Sequence, residues 1–132
     1  MRAVPVAERV ATTHTDTLSA AISNAVVDRL VEHTGKGPTR ARTTICRDTI
    51  VFVACDTLTK GEKTLASTRG QAEVRRMRLA LHDVMRSKLI ADVQRLTGRK
   101  VRALLAAQEV IPDVASAVFL LEPEEGAAPP VP

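Results

Sequence analysis

A chain of 132 residues is one domain by size, long enough for a single core and too short for two. It is 45% apolar, 26% charged and only 2% aromatic, with Phe52 and Phe119 its sole rings, so the core is aliphatic and the stacking platforms of single-strand nucleic-acid binders are excluded. The net charge of +4 is unevenly placed: Lys36 to Arg102 holds sixteen Lys/Arg against six Asp/Glu, and the flanks hold three against nine.

No apolar run approaches the ~20 residues that span a bilayer. Met1 to Ala11 lacks the contiguous apolar core of a signal peptide. The expected compartment is therefore the cytoplasm, without direct insertion into a membrane. Two unpaired thiols, Cys46 and Cys55, suit a reducing setting.

Residues 1–14 show no sustained period and form a flexible lead. From Asp16, the apolar positions Leu18, Ala21, Ile22, Ala25, Val26 and Leu30 recur three or four residues apart. That spacing predicts an amphipathic helix, with Thr15 or Asp16 as its N-cap. It ends near His33, because Gly35 suits a left-handed cap and Pro38 cannot continue a helix. Thr39 to Arg47 alternates, with Ala41, Thr43 and Ile45 on one face and Arg40, Arg42, Thr44 and Cys46 on the other. Thr49 to Asp56 is β-branched and apolar on much of both faces. A turn at Arg47-Asp48 joins the two as a hairpin, the second strand central and the first near an edge, where its arginines discourage aggregation. That register separates Cys46 from Cys55 by the length of the hairpin, beyond the Cα distance of about 7 Å that a disulfide tolerates.

Thr59-Lys60-Gly61-Glu62 then matches a capping box and starts a short helix through Leu65, which Thr68-Arg69-Gly70 interrupts. Over Gln71 to Thr97, Val74, Met77, Leu81, Val84, Met85, Leu89, Val93 and Leu96 fall at helical spacing. A helix of that length rises roughly 40 Å, and its apolar stripe needs a surface of similar length to cover it. Gly98 ends it, with Arg95, Arg99 and Lys100 at the negative end of the helix dipole. Val101 to Val110 and Ala115 to Leu121, on either side of Pro112-Asp113, form a second hairpin, and residues 123–132 form a disordered Pro/Glu/Ala tail. The expected class is α+β: a single domain over residues 15–122 in the order α-ββ-α-ββ, with a four-stranded, mainly antiparallel sheet and helices packed on one face.

Searches for reactive constellations give little. His14, His33 and His82 form no ligand spacing with each other or with the cysteines, no nucleophile elbow is present, and no carboxylate pair stands out. No catalytic, cofactor-binding or metal-binding residue is assigned, the chain is expected not to be an enzyme, and chemistry at His33 or a cysteine ranks last. Gly35-Lys36-Gly37-Pro38 follows a helix instead of a strand, and Pro38 has no amide to donate. A helix stop and turn fits it better than a phosphate loop, although a local anion grip by Lys36 and Arg40 stays open. On a helix, Arg75 and Arg78 are neighbours one turn apart. Two roles are open for them: pinning the short helix through Asp56 or Glu62, or meeting a partner.

Five blocks occur in order: Glu32-His33-Thr34-Gly35-Lys36-Gly37-Pro38-Thr39, Leu58-Thr59-Lys60-Gly61-Glu62-Lys63-Thr64-Leu65, Val74-Arg75-Arg76-Met77-Arg78, Leu96-Thr97-Gly98-Arg99-Lys100-Val101 and Val118-Phe119-Leu120-Leu121. Together they resemble the MpsC family, a bacterial domain named for a sodium-translocating, membrane-potential-generating system, over roughly residues 16–122. One departure is Gly61, where a better helix former is expected. The resemblance implies a small cytoplasmic protein linked to membrane proteins that generate membrane potential or take up inorganic carbon. It supplies no catalytic residues.

The expected function is that of a non-enzymatic accessory protein whose basic helix and Gly-x-Gly-Pro loop contact an acidic membrane-protein partner. The candidate contact residues are His33, Gly35, Lys36, Gly37, Arg40, Arg75 and Arg78. Nucleic-acid binding through the same basic helix face is the alternative, with steep salt dependence as its signature. Because both faces of the second strand are apolar, the sheet surface away from the helices is expected to meet a second copy in a homodimer.

Overall fold

The computed structural model describes residues 14–124. Most of the expected lead and tail lies outside the described residues, and His14 already belongs to the first helix. The elements are α1 (His14–Thr34), β1 (Arg40–Cys46), β2 (Thr49–Cys55), α2 (Lys60–Ala66), α3 (Gln71–Thr97), β3 (Val101–Glu109) and β4 (Val114–Leu121). This is the expected α+β architecture, with the short capped helix standing as an element of its own.

Local chemistry sets most boundaries. Gly35 and Gly98 take φ of 76° and 69°, the left-handed conformation that closes α1 and α3. The N–H of Gly35 reaches the Val31 carbonyl at 2.9 Å, and that of Gly98 reaches Gln94 at 2.8 Å. At the start of α2, the Thr59 hydroxyl accepts from the Glu62 amide at 3.2 Å while the Glu62 carboxylate accepts from the Thr59 amide at 2.7 Å. That reciprocal pair is the expected capping box.

The strand order is β1-β2-β4-β3 in one four-stranded sheet, and every neighbouring pair is antiparallel. Each hairpin is intact, and the two join through β2 and β4, the strands with apolar residues on both faces. Cys46 lies opposite Thr49 and Cys55 opposite Arg40, so the thiols sit at opposite ends of the first hairpin, and both are free. One sheet face carries Thr43, Ile50, Phe52, Ala54, Leu104, Ala117, Phe119 and Leu121, all buried. Ile22, Val26 and Leu30 of α1 and Met85, Leu89 and Val93 of α3 close over them as one cluster. Polar links cross this layer as well. Ser23 and Thr43 share a hydrogen bond of 2.7 Å, and Arg29 of α1 grips Asp92 of α3 through two, at 2.8 and 3.0 Å. Arg29 holds the Asp92 carboxyl below its usual range, against the pull of burial.

The buried stripe of α3 differs from the expected one in one respect. Val74, Met85, Leu89 and Val93 are buried, but Met77 is 49% exposed and Val84 64%. Arg78 and Asp92 occupy the covered positions instead. With a period of 3.6, residue 78 continues the line from Val74 to Leu81 and Met85 better than residue 77 does.

Candidate partner-binding site

Three of the quoted sequence blocks converge where β2 ends. Asp56 takes φ of 59° and turns the chain out of the sheet. Beyond it, the Thr57 amide, the Thr57 hydroxyl and the Leu58 amide all donate to the Asp113 carboxylate, at 3.0, 2.9 and 2.9 Å. Asp113, in the β3–β4 turn, thereby anchors the segment that leads into α2. From one side the Lys36 ammonium donates to the Asp56 carbonyl, and it lies 3.5 Å from that residue's carboxylate. Lys63 pairs with the same carboxylate. Lys63 and then Lys36 hold the Asp56 carboxyl below its usual range, and the Lys63 ammonium is raised in return.

On the other side, Arg78 closes the arrangement from α3. Its guanidinium donates to both Glu62 oxygens at 2.8 and 2.6 Å and to the Thr57 carbonyl at 2.7 Å. The pair is nearly sealed, with side-chain exposures of 4% for Arg78 and 10% for Glu62. Burial pushes the Glu62 carboxyl up, but the Arg78 guanidinium and the Thr59 amide outweigh it and leave it below the usual range.

The expected contact residues therefore separate. Arg78 is corrected: it is a buried structural cation, spent on Glu62 and Thr57, because the α3 stripe turns it inward. Lys36 is half-buried and committed to Asp56. Arg75 is more exposed, but it donates to the Gln108 carbonyl at 3.2 Å and to Glu109 at 3.0 Å. The His33 Nε2 lies 3.1 Å from the Glu32 carboxylate without making a hydrogen bond, while Glu32 is also held by Arg29 and Lys88. Gly35 and Gly37 shape the turn between α1 and β1. Of the cations in that set, only Arg40 is exposed without a charged partner among the described residues. Arg86 donates to the Leu104 carbonyl at 2.8 Å and Arg95 lies 3.5 Å from Asp92, which leaves Arg76 as the arginine of α3 without a partner among the described residues.

Sequence reasoning missed Asp56, Thr57 and Asp113 as the hub. The available signal was an aspartate following proline in a turn, a residue type suited to bonding nearby amides. Its partner amides are 56 and 55 positions away, so no local pattern reveals them.

A pocket of about 40 Å³ lies between α3 and the second hairpin, lined by Arg78, His82, Met85, Gln108 and Ser116 among others. Sites for small organic ligands start near ~300 Å³. The Nε2 of His82 is buried there without a hydrogen-bond partner, and burial lowers its pKa, assisted by Arg86 and opposed by Asp83. Since the ring is easier to protonate once unfolded, stability should be full above the ordinary histidine value of about 6.5 and fall as pH drops below it. NMR titration should place the His82 midpoint below that value, and His82→Leu should flatten the stability change between about pH 7 and 5.5.

No helix among the described residues is long and apolar enough to cross a membrane, and none of their His, Cys, Asp and Glu side chains group as a metal site. Neither the curated proteins nor the solved structures contain a match to this chain. The family model for the Na+-translocating membrane potential-generating system (MpsC) matches residues 14–123, which takes in all seven elements of the described residues and every residue of the Asp56 hub. The chain belongs to the MpsC family.

Proposed function

We propose that this chain is a non-enzymatic accessory protein that binds, from the cytoplasm, a membrane component of a sodium-translocating, membrane-potential-generating system. The family match across nearly all of the described residues is the observation that carries the reading. The surface supports it. Arg47, Lys60, Arg69, Arg76, Lys100 and Arg102 are exposed and have no carboxylate partner among the described residues. Such cations steer an acidic partner during approach and favour it over a neutral one.

The contact surface is thus the solvent-facing cations and not the buried Arg78 or the committed Lys36. A tagged chain incubated with detergent-solubilised native membranes should retain an integral membrane protein at low salt and release it as salt rises. Combining Arg47→Glu, Arg76→Glu and Lys100→Glu should cut that recovery roughly tenfold. An eluate without a membrane protein, or recovery that the reversals leave unchanged, overturns the proposal.

A further inference from the structure

Among the described residues, nothing covers the sheet face turned away from α1 and α3, and that face is apolar in its middle. Its side chains follow from the register as four rows running across β1, β2, β4 and β3. They are Arg40–Cys55–Val114–Glu109, Arg42–Val53–Ser116–Ala107, Thr44–Val51–Val118–Leu105 and Cys46–Thr49–Leu120–Ala103. Val53 on the interior strand β2 is 38% exposed and Leu105 on the edge strand β3 58%. The charges are at opposite edges. Arg40 and Arg42 line the β1 side without a partner among the described residues, and Glu109 ends the β3 side at 62% exposure. Arg75 reaches the Glu109 carboxylate round the edge of the sheet without enclosing it.

We infer that this face binds a second copy of the chain, sheet against sheet, about a two-fold axis parallel to the strands. That axis lays β1 of one protomer over β3 of its partner and keeps each row at its own height. Arg40 then meets the partner's Glu109 at both ends of the interface, while the valines of β2 stack on β4. A two-fold across the strands lays β1 over β1 instead, which sets Arg40 over Cys46 and Arg42 over Thr44, gathers all four arginines along one edge and leaves Glu109 over Ala103. Charge complementarity selects the first arrangement.

The size is adequate for a reversible dimer. Four strands spaced about 4.8 Å apart and seven residues long offer a face of roughly 450 Å² per protomer. The pair buries about 900 Å² before side-chain relief is counted, near the lower limit for a specific interface. Facing sheets of this kind pack about 10 Å apart, at an angle near −30°.

Sedimentation equilibrium across a concentration series tests the inference. The wild-type chain should reach twice its 14.2 kDa mass. Val53→Lys and Leu105→Lys, which point away from the core, should each give a monomer with an unchanged circular dichroism spectrum. Arg40→Glu and Glu109→Lys should each weaken the dimer at least about tenfold, and the double variant should restore most of the loss. A wild-type monomer at all concentrations overturns the inference and leaves the face to another occupant. A dimer indifferent to Val53→Lys and Leu105→Lys overturns it by placing the contact elsewhere. Single charge variants without rescue in the double overturn the proposed axis.

Discussion

Arg78→Met is expected to lower the unfolding free energy by about 3–5 kcal/mol, a large share of the ~5–15 kcal/mol typical of a domain this size. The loss comes less from the missing attraction than from what stays behind. Glu62 remains buried beside α3 with no cation, and the Thr57 carbonyl loses its donor. The double variant Arg78→Met with Glu62→Gln removes both charges and keeps an acceptor for the Thr59 amide, so the cap survives. It should recover most of the loss in urea unfolding. Equal losses in the single and double variants would show that the unpaired charge is not the cause.

The same pair has a pH signature. In the wild-type fold the Glu62 carboxyl is depressed below its ordinary value of 4.5, so its contribution is present above that pH and is lost as pH falls through the folded value. In Arg78→Met the sign reverses. With the guanidinium gone, burial dominates, the carboxyl rises, and Glu62 takes up a proton more readily in the fold than in the unfolded chain. The stability gap between the two proteins should therefore narrow as the solution is acidified.

The features readable in the sequence were those whose causes are local. Gly35, Gly98 and the Thr59–Glu62 box announce helix ends through residues no more than four apart, and the Arg47-Asp48 turn sets the first hairpin's register. What lay beyond reach depended on distant pairings. The apolar residues on both faces of β2 mark it as an interior strand, but nothing near it specifies β4 as its second neighbour. Asp113 reads as a turn residue until the fold brings it to Thr57. Arg78 was obscured for a different reason: Met77 and Arg78 both fit the gap between Val74 and Leu81, and hydrophobicity favours Met77. The fold buries the arginine because Glu62 has already been placed at the start of α2, where one carboxylate serves as both cap and counter-ion.

Phe119→Ala should be comparably severe, and it tests the layer assignment as a whole. Phe119 is fully buried on β4, an interior strand, with Ile50 of β2 and Leu104 of β3 directly alongside. Its diagonal neighbour Phe52 is itself buried and the rest of the core is aliphatic, so the space its removal leaves stays largely unfilled. Truncation of a buried phenylalanine costs about 3–5 kcal/mol, whereas Phe119→Leu, which keeps most of the volume, should cost under about 1.5. For a folded unit of this size the alanine variant should melt roughly 12–20 °C below the wild type. Met77→Ala on α3 provides the contrast, because its half-exposed side chain points away from the sheet and its loss should stay within about 0.5 kcal/mol. If Met77→Ala instead cost as much as Phe119→Ala, α3 would present a different face to the sheet. Arg78 would then lie at the surface, where the expected partner contact first placed it.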